Sequence, residues 1–251
     1  MNASKYLARL SMCCALHEKA LLIQKPASHI DEEIINMFKM ENDPFLCMIS
    51  LLIKCFREEK RKDGSSRTLH AYDVARIALE GLRFLHPVIL KEWGEKETEV
   101  LVFSALAHDL LEDGIEVNKI EIAKQFSQEV LDVIFELTIP KKHNYEDGNQ
   151  LCIQKFNLFS LESARFYPKT LLPNDHFHLP PSAIGAYIKL CDTVSSLRAN
   201  VLRDIPGWYQ EKYYKLMINF RKTTQTLSSL NSFVWEQFEL TSQQLRAKWN
   251  K

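Results

Sequence analysis

The sequence predicts an all-α fold, and three features of the chain lead to that class. Only 7 of the 251 residues are glycine, so long segments run without the residue that most often interrupts a helix. Apolar side chains recur at helical spacing along these segments. Stretches in which polar and apolar residues alternate, as they do in a half-buried strand, are few. We therefore expect a helical bundle with N- and C-terminal helical extensions.

The N-terminal extension, residues 1–44, is expected to begin with an amphipathic helix that packs on the domain. The apolar spacing of this helix is carried by Tyr6, Leu10, Cys13, Cys14 and Leu16. Asp31 is the expected start of a second helix after the turn at residues 26–29, and Pro44 precedes a third. Charged residues interrupt the first apolar stretch, which therefore matches neither a transmembrane span nor a secretory signal.

The central part, residues 45–200, contains further helical patterns. An apolar stripe at helical spacing begins at His70. This stripe consists of Val74, Ile77, Ala78 and Leu82. Residues 98–113 contain neither glycine nor proline and predict one continuous core helix. Asn118 is the expected cap of a helix over residues 119–138.

The C-terminal extension, residues 201–251, is rich in aromatic residues at helical spacing. Tyr213, Met217 and Phe220 are predicted to pack in the core or on an oligomer face. A base-stacking surface is the less favoured interpretation of the same residues. We therefore expect this extension to pack on the central part.

Four titratable groups are crowded into the segment AHDLLEDG, residues 107–114. On a helix His108 shares a face with Glu112, and Asp109 shares a face with Asp113. Repulsion between three carboxylates, together with their loss of hydration, would be unfavourable at the end of an apolar helix without a cation between them. The segment therefore indicates a metal site.

Two residues from other helices are the best candidates to complete the site, because one imidazole and one carboxylate are too few ligands. His70 begins its apolar stripe, and Asp192 follows Ile184 and Ile188 at steps of four residues, which directs the carboxylate into the core. Each candidate has an ordinary alternative. His70 fits a hydrogen-bonded core histidine, Asp192 an acceptor at a helix N-terminus, and the acidic pair after His108 a solvated helix end.

Taken in order, these motifs resemble the HD-domain superfamily, and within it the hydrolase domain of the RelA/SpoT family, including the stand-alone small alarmone hydrolases. A basic patch is followed by Gly64, which lies six residues before His70. HDLLED resembles the family's HDxxED, and KLCDTVSSLR at residues 189–198 resembles its KLADxxxNxR. The resemblance covers residues 45–200 and implies that they form the HD-domain helical bundle.

The resemblance implies a role for each matching residue. The family's four metal ligands are matched by His70, His108, Asp109 and Asp192. Glu112 and Asp113 resemble the catalytic acidic pair beside the nucleophilic water. Arg61 resembles the arginine that borders the nucleotide. Lys62, next to it, and Ser196, which stands where the family has an asparagine, are further candidates for substrate contacts.

Two neutral imidazoles and two carboxylates favour an octahedral ion such as Mn²⁺ over a closed zinc site. The resemblance implies a hydrolase that removes the 3′-pyrophosphate from (p)ppGpp, or a phosphate from a related nucleotide, by attack of a manganese-bound water. Glu112 or Asp113 would orient that water or pass a proton to the leaving ribose oxygen. Ser196 lacks the family's amide, and Arg67 stands near the place of an aromatic residue. A non-catalytic HD-like module that binds a nucleotide or a protein is therefore the alternative.

Composition argues against several other classes. The 32 basic and 32 acidic residues cancel, so no net field would attract the chain to nucleic acid or to an anionic membrane. The six cysteines show no CxxC spacing, which predicts reduced thiols in a cytoplasmic protein rather than a disulfide framework. The expected partner is a small-molecule nucleotide, and the sequence does not indicate the oligomeric state.

Overall fold

The computed structural model describes residues 3–38, 43–56, 59–111, 126–138, 153–162, 164–168 and 180–249. Within these ranges the fold is all-α, as predicted, with two isolated β-bridges and no strand. The helices are α1 (Ala3–Leu22), α2 (Ala27–Met37), α3 (Pro44–Phe56), α4 (Arg67–Gly81), α5 (Pro87–Leu90), α6 (Glu95–Ala107), α7 (Gln128–Leu137), α8 (Ala183–Leu202), α9 (Gly207–Thr223), α10 (Leu227–Leu230) and α11 (Ser232–Trp249). A 3₁₀ turn at Leu82–Phe84 and a short helical segment at residues 153–157 complete the helical elements of the described ranges.

Helices α4 and α8 form the centre of the bundle. α8 packs against α4, α7 and α11, whereas α4 also packs against α1 and α6. Ile184 and Ile188 of α8 are fully buried, and burial of such a side chain contributes roughly 1.5–3 kcal/mol. The helical spacing of these residues places Asp192 on the same inward side of α8.

A close approach at Gly81 joins α4, α8 and α11. The Tyr187 hydroxyl donates to the Ala78 carbonyl at 2.8 Å, and the Asn231 side-chain amide donates to the Gly81 carbonyl at 2.8 Å. A Cβ atom at Gly81 would overlap both the Tyr187 hydroxyl and the Val234 side chain. Position 81 therefore has no room for a side chain, and this close contact fixes how α4 lies against α8.

The predicted amphipathic character of the N-terminal helix is confirmed. Tyr6, Leu10, Cys13 and Cys14 of α1 are buried, and α1 packs against α4 and α2. The predicted start of the second helix at Asp31 is wrong, because α2 begins at Ala27. Pro26 precedes that helix with φ −56°, a value that suits entry into a helix, and Asp31 lies buried one turn later.

A second predicted boundary also differs from the structure. The helix expected over residues 119–138 is not continuous, because residues 126 and 127 are not helical and α7 begins at Gln128, where the Ser127 side chain accepts a hydrogen bond from the Val130 amide. Ser127 has φ 136°, which an uninterrupted helix does not allow. Asn118, the expected cap, lies outside the described residues.

The cysteines in the described part of the chain all lie in helices. Cys13, Cys14, Cys47, Cys55 and Cys191 are free thiols. Burial raises the pKa of Cys13 to about 12, so this thiol is unreactive near neutral pH. Across the described ranges, no helix combines the length and apolar character needed to cross a membrane.

Candidate metal centre

Helix α4 places His70 in its first turn. The helix is capped by Ser66, whose side chain accepts a hydrogen bond from the Leu69 amide at 3.1 Å. His70 is buried, and its Nδ1 lies 3.1 Å from the Ser195 hydroxyl of α8. The bond to Ser195 holds the imidazole ring with Nε2 toward the interior of the site.

His108 and Asp109 come directly after α6. The prediction of one helix through residue 113 is wrong, because α6 ends at Ala107 and residues 108–111 form a tight turn. The His108 ring donates from Nδ1 to the Ala105 carbonyl at 2.7 Å, the carbonyl that a continuing helix would pair with the amide of residue 109. The Leu110 amide instead bonds the Ala107 carbonyl at 3.0 Å, three residues back.

The remaining acidic residues of this segment, Glu112 and Asp113, lie outside the described residues. Their predicted pairing with His108 and Asp109 on one helical face required α6 to continue. Their catalytic role stays a prediction from the sequence.

Helix α8 supplies Asp192 together with neighbours one turn away on the same side. Asp192 Oδ2 accepts a hydrogen bond from Lys189 at 2.8 Å. Asp192 Oδ1 faces His70 Nε2 at 3.1 Å and is 3.5 Å from the Ser196 hydroxyl. One carboxylate oxygen is therefore neutralised by a lysine, while the other points into the site.

The four predicted ligands come together at one point, although they come from three parts of the chain: His70, His108, Asp109 and Asp192. His108 Nε2 is 3.2 Å from Asp109 Oδ1 and 3.9 Å from Asp192 Oδ1. The rings of His70 and His108 are 5.2 Å apart between centroids and are inclined by 67°. Potential ligand atoms of His70, His108 and Asp109 all lie within 4.8 Å of one another. Asp192 Oδ1 lies beside both imidazoles.

The hydrogen bonds of the two histidines suit metal ligation. When Nδ1 of each ring donates to its partner, Ser195 or the Ala105 carbonyl, Nε2 carries a free lone pair directed at the carboxylates. His108 Nε2 is buried and has no hydrogen-bond partner within the described ranges. A buried acceptor without a partner is unfavourable, and a cation among Nε2 and the carboxylates would satisfy it.

The electrostatics of the site also favour a neutral imidazole at His70 and ionised carboxylates at Asp109 and Asp192. Burial, reinforced by the nearby Arg61 charge, lowers the pKa of His70. Burial alone would raise the pKa of Asp109, but His108 and His70 outweigh it and lower that pKa below its ordinary range. Lys189, followed by the contact with His70, likewise outweighs burial and holds the pKa of Asp192 well below its ordinary range. These are the protonation states that bind a divalent metal.

The residues present therefore fit a divalent cation. Two imidazole nitrogens and two carboxylates form a mixed donor set, which suits a metal with preference for nitrogen and oxygen ligands, such as manganese. The orphaned Nε2 of His108 marks the position that a metal would complete.

The loop before α4 positions the predicted substrate residues. Arg61 donates to the Ser196 hydroxyl at 2.9 Å, so these two lie together at the edge of the metal site. Asp63 accepts bonds from Ser65 and from Arg203, which hold the loop in place. Lys62 is exposed, and its ammonium group lies over the ring of Tyr209 at 3.8 Å rather than toward the histidines.

Several residues that shape the site were not predicted from the sequence. Lys189 and Ser195 each lie three residues from Asp192, so the helical period of α8 was the signal that could have identified them. Arg67, which stands near the place of the family's aromatic residue, forms an ion pair with Glu59 at 3.0 Å. Met217 and Phe220 are buried, as predicted.

Comparison with known proteins identifies a relative by fold. No protein-family model matches the chain, and a search of curated proteins finds no match. Among solved structures, the chain resembles a metazoan ortholog of SpoT that hydrolyzes ppGpp and plays a role in starvation responses, with 19% sequence identity and a TM-score of 0.56. The alignment covers 84% of this chain and 97% of the other. The predicted resemblance to a RelA/SpoT hydrolase is thus confirmed at the level of the fold.

Proposed function

We propose that this chain is a metal-dependent phosphohydrolase that removes the 3′-pyrophosphate from (p)ppGpp or a related nucleotide. One observation supports this more than the others. Two buried imidazoles face two carboxylates, and His108 Nε2 lacks a hydrogen-bond partner among them. Such an arrangement is unfavourable in a purely structural cluster and favourable around a divalent cation.

His70, His108, Asp109 and Asp192 would hold the metal, with manganese as the first choice. A bound divalent cation supplies Lewis acidity that activates water and polarises a phosphoryl oxygen. The surrounding residues of the chain orient these ligands. Ser195 and the Ala105 carbonyl hold the two rings, and Lys189 offsets the charge of Asp192.

The substrate side of the site carries positive charge. Arg61 lies beside Ser196 and is placed to pair with phosphate oxygens, because its planar guanidinium group can bond two of them at once. We propose that Glu112 and Asp113 orient the attacking water and pass a proton to the leaving ribose oxygen, as the sequence resemblance implies. Lys62, on the same loop, would add to the attraction of a polyphosphate.

The fold relative supports this class of reaction. That protein hydrolyzes ppGpp, and nearly its whole length aligns with this chain. A (p)ppGpp-type substrate carries a pyrophosphate that fits a site with a cation and an adjacent arginine.

The identity of the released group tests the proposal. Purified protein would be incubated with ppGpp and Mn²⁺, and pyrophosphate and orthophosphate would be measured separately. We expect pyrophosphate and GDP. Release of orthophosphate alone would contradict removal of the 3′-pyrophosphate, and nucleotide binding without any release would favour the non-catalytic module.

Two variants separate metal binding from catalysis. Asp109→Ala is expected to lose both the metal and the activity, because it removes a ligand. Glu112→Ala is expected to lose activity while it retains the metal. Metal content measured beside turnover distinguishes the two, and undiminished turnover in either variant would remove the role assigned to that residue.

A further inference from the structure

A large aromatic side chain is exposed at the start of the C-terminal extension. Trp208, in the first turn of α9, is 70% exposed. A Cβ atom at the preceding Gly207 would meet no atom within 4 Å, so the space beside this turn is open. Tryptophan is highly buried on average, and an indole ring left in water beside open space is available to stack on a ligand.

The exposed ring is the outer end of an aromatic series that leads to the metal centre. The rings of Trp208 and Tyr209 are 5.6 Å apart between centroids, and those of Tyr209 and Tyr213 are 5.9 Å apart. Tyr213 lies close to Ser196, and Ser196 contacts Asp192. The series is therefore continuous with the site.

Positive charge borders the same surface. The Lys62 ammonium lies 3.8 Å from the centroid of Tyr209 and 5.3 Å from that of Trp208. Arg61, the residue before Lys62, donates to the Ser196 hydroxyl at 2.9 Å. Cations beside aromatic rings form the combination that proteins use to bind a nucleotide, with rings for the base and charges for the phosphates.

We propose that the exposed face of Trp208, backed by the buried ring of Tyr209, forms a stacking surface for the purine base of a nucleotide whose phosphates lie at Arg61 and the metal centre. This inference rests on the proposed function, since it assigns the base of the same substrate. The C-terminal extension then contributes to substrate binding as well as to packing. The flat face of a purine matches the exposed indole ring, and stacking needs no particular pattern of hydrogen bonds on the base.

Tryptophan fluorescence tests this without turnover. GDP is the probe, because it carries the base but no 3′-pyrophosphate to be cleaved, and inorganic pyrophosphate is the base-free control. In the presence of Mn²⁺, GDP is expected to quench emission of the wild-type protein, and most of that quenching should vanish in Trp208→Phe. Pyrophosphate is expected to quench little.

Affinities of the variants complete the test. Trp208→Ala is expected to raise the Kd for GDP about tenfold, the effect of losing one base–aromatic contact. Trp208→Phe retains a ring and should recover most of that affinity. Leu240→Ala is the matched control, because Leu240 is an apolar side chain on α11 that is 50% exposed, and it should bind GDP as wild type does. The Kd for pyrophosphate should be the same in all four proteins.

The outcome also separates this inference from the proposed function. Hydrolysis of ppGpp with an unchanged Kd for GDP in Trp208→Ala would overturn the stacking surface and leave the hydrolase intact. Binding of GDP that depends on Trp208, without hydrolysis of ppGpp, would support the surface and contradict the hydrolase. Failure of GDP to bind the wild-type protein would overturn the stacking surface.

Discussion

Two buried clusters of charged side chains lie along α8, and they differ in how their charges are compensated. One is at the start of the helix, around Glu136 of α7, and the other surrounds Asp192, about 15 Å further along the helix axis. Both bring carboxylates into the core. The difference between them indicates which cluster is structural and which is built for a ligand.

The cluster at Glu136 is internally complete. Its two carboxylate oxygens accept hydrogen bonds from the Ser182 amide at 2.9 Å and the Ser182 hydroxyl at 2.5 Å. Lys155 is 2% exposed and donates to the Glu136 carbonyl at 2.9 Å, with its charge 3.9 Å from the carboxylate. The Ser182 hydroxyl in turn accepts from the Gly185 amide and caps α8. This cluster joins α7, the 153–157 segment and α8.

In the cluster at Asp192, by contrast, the buried polar atoms are not all paired. Lys189 compensates one oxygen of Asp192, but the two imidazole Nε2 atoms face carboxylate oxygens, and that of His108 has no hydrogen-bond partner in the part of the chain that the structure describes. Buried polar groups in folded proteins are almost always paired. The unpaired Nε2 of His108 points to a missing ligand because it lies among other potential metal ligands, whereas burial of charge alone does not.

The largest expected effect is on catalysis at the incomplete cluster. Asp192→Asn removes a carboxylate that both imidazoles face, and we expect turnover of ppGpp to fall by more than about 100-fold. Loss of a residue that only hydrogen-bonds a metal ligand costs up to about 100-fold, and loss of a ligand itself should cost more. The free energy of unfolding of the metal-free protein should change little by comparison. Steady-state kinetics and urea unfolding measure the two quantities, and turnover near that of wild type would place the reaction elsewhere.

The next effect is on stability at the complete cluster. Lys155→Met leaves Glu136 without its buried cation, and the free energy of unfolding is expected to fall by about 3–5 kcal/mol. Lys215→Met is the control, because Lys215 pairs with Glu211 at the surface and should behave as wild type. Denaturant unfolding measures both. Equal stability of the two variants would show that the Lys155 contacts do not stabilise the fold.

A smaller effect links the two clusters. Manganese at 100 times its Kd should stabilise the wild-type protein by about 2.7 kcal/mol, since it binds only the folded state. The thermal midpoint should therefore rise on addition of Mn²⁺ and fall again with a chelator. Glu136→Gln, altered only in the complete cluster, should keep this shift, and Asp109→Ala should lose it. A shift of the same size in Asp109→Ala would assign the metal to another site.

The smallest effect is a pH dependence at Glu136. Burial raises the pKa of Glu136 above its ordinary value of 4.5, although Lys155 and Ser182 act to lower it. The folded protein then binds the proton more tightly than the unfolded chain, so this contribution to stability is fully present below pH 4.5 and is lost as the pH rises through the folded-state pKa. The stability of wild type relative to Glu136→Gln, from urea unfolding at a series of pH values, should fall over that range. If the relative stability instead rises with pH, the pKa of Glu136 is lowered by folding and the predicted direction is wrong.

The sequence predicted the helical class and the residues that converge at the incomplete cluster. Apolar side chains at helical spacing lead to α4 and α8, and the step of four residues from Ile184 to Ile188 to Asp192 places the carboxylate on the buried side. The order of these residues along the chain could not show how close they lie to one another in the fold. The meeting of His70 with Asp192 depends on how α4 packs against α8, which the close approach at Gly81 helps to set.

Other features depend on tertiary contacts that have no local signal. The apolar run that contains α6 has no glycine or proline, so its residues give no indication that this helix ends at Ala107. The helix ends there because the His108 ring bonds the carbonyl of Ala105 in the last turn. Lys155 would be expected at the surface from its residue type, yet it is buried against Glu136. The aromatic residues of α9 indicated packing, and only the structure places Tyr209 against Lys62.

The most direct measurement of whether the incomplete cluster holds a cation is a titration of chelator-treated protein with Mn²⁺, followed by electron paramagnetic resonance. We expect one tightly bound ion per chain in the wild-type protein and none in a variant with both His108→Ala and Asp109→Ala. Tight binding that survives in the double variant, or no tight binding in the wild type, would contradict a metal centre at these residues.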